Sequence, residues 1–415
     1  MQHILMSLIG MAVLIGIAVL LSDNRKAIKI RTVGGAFALQ AGIGAFVLYI
    51  PVGQYALEGI TDTVNDVMNY ANNGIGFLFG SLANTGFIFA VKVLPVIIFF
   101  ASLVAVLYYL GIMQIIIKLF GGALQKVLGT SRTESLSAAA NVFVGQTEAP
   151  LLVRPFISRM TQSELFAVMV GGLASVAGAV MVGYASMGVD LKFLIAASFM
   201  AAPGGLLMAK LIKPETEKPH DAVDDIEEAE DDKPANIFDA AAGGAASGLK
   251  LAAMIGAMLL AFISLIAMAN GLLGWAGGWF GYPDLTIELI LGYVFSPLAF
   301  VIGVPWSEAL TAGSFLGQKV IVNEFVAFSS LANYIDPESA AKAGVEMLSD
   351  RSQAILTFAL CGFANISSIA ILLGGLGSLA PNRRHDIARF GLKAVAAGTL
   401  SNLMSATIAG MFLVF

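Results

Sequence analysis

Stretches of about 20 mainly apolar residues, the length that crosses a bilayer core as a helix, recur near 3–21, 33–51, 88–110, 163–187, 191–211, 250–273, 352–376 and 391–414. A chain with eight such stretches has few folds open to it, because hydrocarbon offers no partner for backbone N–H and C=O groups. The expectation is an all-α polytopic membrane protein with eight transmembrane helices. Composition agrees: 58% of the 415 residues are apolar and 12% are charged, against roughly 25% charged in soluble domains. The net charge of −5 is concentrated in 215-ETEKPHDAVDDIEEAEDDK-233. That run is too polar to bury a core and reads as a solvated loop with the composition of disorder. It divides the chain in two and says little about nucleic acid, so no nucleic-acid polymer is expected as a partner.

Lys and Arg set the orientation. Arg25, Lys26, Lys29 and Arg31 follow the first span, whereas 52–87 carries acids and no basic residue. The N-terminus is therefore expected outside, and an even number of spans returns the C-terminus to the same side. Ile4 to Leu21 lacks a basic leader and a cleavage pattern, so it is read as a retained span. The stretch 55–80 mixes apolar residues with acids and Asn at helical spacing, which suits the outer interface better than a crossing. One cysteine, Cys361, excludes an intrachain disulfide, and His3, His220 and His385 have no ligand spacing. No nucleophile, metal cluster or phosphate motif accompanies the membrane carboxylates, so an enzyme is not expected.

Two regions, 131–160 and 305–335, begin and end on one side under this scheme, as re-entrant helical hairpins would. Their sequences are related. In 127-VLGTSRTESLSAAANVFVGQTEAP-150 and 301-VIGVPWSEALTAGSFLGQKVIVNEF-325, Gly129 pairs with Gly303, Glu134 with Glu308 and Leu136 with Leu310, while Glu148 and Glu324 are offset by two. The spans that follow also pair, 171-GGLASVAG-178 with 361-CGFANISS-368. The chain is thus expected to hold 1–87 as N-terminal scaffold spans with an interfacial helix and 88–212 as a first repeat with hairpin 131–160. An acidic cytoplasmic loop at 213–249 then leads to a second, inverted repeat at 250–415 with hairpin 305–335. Inverted repeats with broken helices are the common plan of secondary transporters that work by alternating access.

A charge at membrane depth is costly and normally faces a cavity, a partner or a ligand. Glu148 lies beside Gln146 and Thr147 between Gly145 and Pro150, a pairing that suits a hairpin tip. The structural alternative pairs Glu148 with Arg154 or Lys319. Glu324 follows Asn323 and has Lys319 five residues before it as its own alternative partner. Asn365 and Ser368 share a helix face and serve either a ligand or helix–helix hydrogen bonding; Phe363 is a minor candidate beside them. Ser175 permits close helix packing or, if the helix unwinds there, joins Asn141 and freed carbonyls around a hard cation. Glu134 and Glu308 suit helix N-terminal caps.

With GQTEAPLLVRPF, NEFVAF and NISS in order, the chain resembles the concentrative nucleoside transporter family, and its bacterial members in particular, over essentially its whole length. The resemblance implies a homotrimer in the bacterial inner membrane with a scaffold and a mobile transport region, importing nucleosides such as uridine. It implies that Gln146, Thr147, Glu148 and Val180 surround the nucleobase, while Glu324, Asn365 and Ser368 hold the ribose. It also implies a sodium site made by the side chains of Asn141 and Ser175 and the carbonyls of Val144 and Val176. Proton-coupled relatives exist, and coupling through Glu148 or Glu324 is the alternative; Na⁺ is favoured because Asn141 and Ser175 offer oxygen without a titratable proton.

Overall fold

The computed structural model describes residues 2–84, 86–219 and 234–413, and among these there is no strand. Helix α1, Gln2–Leu20, and α2, Ile30–Leu48, are apolar, and each packs on the same two later helices. Helix α3, Pro51–Phe79, begins with Pro51 in its first turn, where a fixed φ and a missing N–H cost nothing. A short α4, Phe89–Lys92, runs into α5, Leu94–Tyr109, giving one apolar stretch over Phe89–Tyr109. Amphipathic α6, Ile112–Leu128, ends at Gly129 with φ 66°, the left-handed C-cap that glycine adopts at least cost.

Each half then follows one plan of helix, break and helix. In the first, α7 is Arg132–Ala140, opened by a capping box of Ser131 and Glu134. After a break come a 3-10 turn, Ala149–Val153, and α8, Arg154–Ile157. Helices α9, Gln162–Ala174, and α10, Gly178–Ala185, are separated by a second break, and α11, Leu191–Ile212, completes the half.

Helix α12, Ile237–Gly278, is 42 residues long and leads to α13, Ile287–Val301. In the second half α14, Trp306–Ile321, meets α13 at 116° and is followed across a break by α15, Glu324–Leu331. The surface helix α16, Pro337–Ala343, precedes α17, Asp350–Leu360. A further break separates α17 from α18, Ser368–Gly374; α19, Leu376–Leu379, and α20, Arg384–Phe412, close the chain.

Among the described residues, seven helical stretches are long and apolar enough to cross a membrane, or up to eight if the bent pair α13–α14 is one span. They answer seven of the expected spans. The exception is 352–376, where helix stops at Leu360 and resumes at Ser368. The cause is tertiary: Gly362 faces Asn402 of α20 so closely that a Cβ would lie 2.3 Å from its Oδ1. Helix α12 also starts inside the stretch expected as loop 213–249, at Ile237 behind an Asn236 cap. Its small residues explain why it is ordered there. Gly244 and Gly248 lie against Ser102, Ala101 and Ile98 of α5, where a Cβ would come within 2.6–2.8 Å of a neighbour, so the two backbones approach as in small-residue membrane packing. The acidic residues 220–233, on which the loop expectation mainly rests, lie outside the described residues.

Helices α9, α11 and α20 form the buried centre, with α1 and α2 packed against α11 and α20. By contrast α12 pairs with α5 and presents much of its remaining apolar surface outward, including Leu260, Met268 and Trp275. In a bilayer such a surface faces lipid or another subunit.

Candidate functional site

Every helix break strands backbone groups that need new partners, and here the four breaks supply one another. The Gly178 N–H, at the start of α10, donates to the Phe143 carbonyl in the first break at 3.0 Å. The Phe363 N–H, between α17 and α18, donates to the Ser175 carbonyl at 3.1 Å, and the Ile366 N–H donates to Val320 at the end of α14 at 3.1 Å. Gln146 Nε2 closes the ring with a 3.4 Å bond to Ser368 Oγ. Residues far apart in sequence are thereby held around one centre.

Into that centre project the polar side chains singled out from the sequence. Glu324, buried at the first turn of α15, accepts from the Tyr184 hydroxyl at 3.2 Å and from Asn365 Nδ2 at 3.1 Å. Asn365 Oδ1 in turn accepts from the Ser368 N–H at 2.8 Å and the Ser367 hydroxyl at 2.7 Å, the local side-chain-to-backbone pattern that starts a helix. Gln146 is buried and its Oε1 has no hydrogen-bond partner, so an acceptor is held ready in a place where polar atoms are normally satisfied. Thr147 and Glu148 are exposed beside it, Val180 is buried on α10, and Phe363 is half-buried at the fourth break. Glycine at 145 is what lets the Glu148 carboxylate fold back: a Cβ there would sit 2.5 Å from Glu148 Oε2.

The proposed alternative partner Lys319 is engaged elsewhere, donating to the Ala359 carbonyl and to Asn402. Glu134 closes the capping box of its own helix and meets Lys210 at 2.6 Å. Glu308 instead accepts from the N–H and hydroxyl of Ser349, at 3.0 and 2.9 Å, at the start of α17.

Tyr184 is a residue that sequence reasoning missed. It is fully buried, with ring centroids 4.7 and 4.4 Å from Phe325 and Phe328. Its one signal in the sequence is its place four residues after Val180, on the same helix face.

A second group of oxygen atoms lies at the first two breaks. Asn141 ends α7, donates Nδ2 to the Ser137 carbonyl at 2.9 Å, and leaves a buried Oδ1 without a partner. Ser175 spends its proton on the Gly171 carbonyl at 2.9 Å, which leaves the hydroxyl lone pairs free to accept. Val144 and Val176 are buried nearby in sequence, and among the described residues no hydrogen bond ends on either carbonyl. An orphaned amide oxygen, a hydroxyl and free carbonyls are the donors a hard cation takes, so these residues fit a sodium ion.

Family models cover nearly the whole chain: "Na+ dependent nucleoside transporter N-terminus" over residues 9–82, "Nucleoside recognition" over 90–191 and "Na+ dependent nucleoside transporter C-terminus" over 193–410. The chain is 60% identical to an uncharacterized transporter of Haemophilus influenzae, over 99% of this chain and 98% of that one. It is 51% identical to the nucleoside permease NupC of Helicobacter pylori, again over 99% and 98%. Among solved structures, a doubly substituted CNTnw in an outward-facing state superposes with a TM-score of 0.96 at 60% identity, covering 99% of both chains. CNTnw in an inward-facing substrate-bound state gives 0.93 at 60% identity, over 99% of this chain and 98% of that one.

Proposed function

The chain belongs to the concentrative, Na⁺-dependent nucleoside transporter family, and on that premise we propose that it imports nucleosides by Na⁺ symport across a bacterial inner membrane. It is a multi-pass membrane protein, and its relatives are transporters and permeases, not enzymes. A related protein adopts inward- and outward-facing states, which supports nucleoside transport by alternating access here.

The observation that carries the site reading is the hydrogen-bonded set Gln146–Ser368–Asn365–Glu324, with an orphaned amide oxygen at one end and a carboxylate at the other. In this reading Gln146, Thr147 and Glu148 match the donor and acceptor edge of the base, directly or through water, with Val180 against its face. Glu324, Asn365 and Ser368 satisfy the two ribose hydroxyls, and Phe363 adds an apolar contact. The sodium ion takes Asn141 Oδ1, Ser175 Oγ and the carbonyls of Val144 and Val176. Asn141 and Gln146 border one short break, so an ion that orders this tip also presents Gln146 and Glu148 to the base. Such coupling is reciprocal: Na⁺ tightens nucleoside binding by the factor with which nucleoside tightens Na⁺. The outward apolar face of α12 suits assembly as a homotrimer, and the charge pattern supports a periplasmic N-terminus, with the C-terminus on the same side where eight segments cross.

Uptake of radiolabelled uridine into proteoliposomes tests this. Accumulation driven by an inward Na⁺ gradient at constant pH is expected. Accumulation that follows a proton gradient and ignores Na⁺ would replace the sodium site by titration of Glu148 or Glu324, the two carboxylates at the centre.

A further inference from the structure

Lys319 is a buried cation to which the transport reading gives no part. It lies in the last turn of α14, 1% exposed. Its ammonium donates to the Ala359 carbonyl at 2.7 Å and to Asn402 Oδ1 at 2.7 Å. Ala359 belongs to the final turn of α17, so the positive charge stands at the negative end of a helix that stops inside the protein. Asn402, on α20, passes the contact on: its Nδ2 donates to the Ala174 carbonyl at 2.6 Å and to the Cys361 carbonyl at 2.9 Å. Ala174 is the last residue of α9 and Cys361 follows α17. One ammonium and one amide therefore hold the C-terminal carbonyls of both broken helices.

The two halves of the chain repeat the same order of elements but differ here. From Thr133 to Glu148 the first segment contains no Lys or Arg, and at its break Asn141 Oδ1 is buried without a partner. The second segment brings its own cation to the matching place. We propose that Lys319 is a tethered counter-cation, its ammonium doing at the breaks of the second half what a free monovalent cation does at those of the first. The carrier then needs one exchangeable cation per nucleoside, not two. This rests on the reading of Asn141 and Ser175 as a cation site, but the role of Lys319 can be tested apart from it.

The test uses the full chain in lipid nanodiscs, with uridine binding measured against Na⁺ at constant ionic strength. Lys319→Ala removes the ammonium and leaves space for a small one. Its uridine affinity is expected to fall by about tenfold or more, as when a buried polar network loses a charged member. Millimolar propylammonium, the fragment removed, should restore most of the loss while leaving wild type unchanged, and tetramethylammonium, of equal charge but without N–H donors, should not. Lys319→Met fills the space and should stay weak with either. The proposal is overturned if Lys319→Met, folded by its melting transition, binds uridine with wild-type affinity and Na⁺ dependence. It is also overturned if neutral propionamide rescues Lys319→Ala as well as propylammonium does, since hydrogen bonding without charge would then suffice. Should Lys319→Ala not survive purification, Lys319→Gln decides: unchanged Na⁺ dependence refutes the proposal, and weaker binding with a steeper Na⁺ dependence supports it. Wild-type binding that responds to pH and not to Na⁺ would refute the sodium reading alone, without touching the propylammonium result.

Discussion

Glu324→Gln separates the ribose assignment from a merely structural role. In the structure one carboxylate oxygen accepts from Tyr184 at 3.2 Å and the other from Asn365 at 3.1 Å. A glutamine of the same shape keeps both bonds: its Oε1 accepts from Asn365, and its Nε2 donates to the Tyr184 oxygen, because a hydroxyl both donates and accepts. The fold should therefore lose little. What disappears is an acceptor-only group for the ribose hydroxyls, and a hydrogen bond to a charged group is worth about 1.5–3 kcal/mol. At about 1.4 kcal/mol per decade, uridine binding should weaken by roughly 10- to 150-fold. Free uracil lacks the ribose and should change by less than about twofold, within the spread of neutral substitutions. Calorimetry of both ligands at one fixed Na⁺ concentration, with the melting temperature of the variant as a folding control, reads the difference directly. Equal losses for uridine and uracil would refute the reasoning and return Glu324 to a structural role between α10 and α18.

Asn141→Ala removes the orphaned Oδ1 and should bind uridine weakly at low Na⁺ yet recover substantially at high Na⁺. Gln146→Ala should remain weak at saturating Na⁺; uridine titrations at several Na⁺ concentrations with choline as balance distinguish the two, and identical behaviour would sink the division of labour. Asp23, in the loop between α1 and α2, meets Lys393 of α20 and, at 3.0 Å, Lys213. Burial raises its carboxyl, but the two lysines outweigh this and hold it below the ordinary 3.8. A depressed folded value means that the contribution to stability is complete above the unfolded value and is lost as pH falls through the folded one. Asp23→Asn should thus lower the melting temperature slightly at pH 7, by an amount that shrinks in high salt and fades below pH 3.8. A difference that persists unchanged at pH 3 would show that charge is not its source.

The medium and the helical class were legible in the sequence, as were the polar residues Gln146, Glu324, Asn365 and Ser368 that the structure brings together. Each is a local signal: a run of apolar residues reports hydrocarbon, and a carboxylate such as Glu324 inside such a run reports a partner or a ligand. Helix α12 starts earlier than the sequence suggests because 237–250 is rich in Ala and Gly, whose helical order depends on the close approach of α5. The stretch 352–376 has the composition of a continuous helical span. Only the packed molecule decided that it breaks, since Gly362 stops against Asn402, 40 positions later by the numbering. Tyr184 joins Glu324 across 140 positions, and Asn402 reaches Ala174 across 228. Hydropathy and spacing record what each residue needs from its surroundings; which distant group meets that need is set when the helices pack, and here the stranded carbonyls and N–H groups of each break are satisfied by another part of the chain.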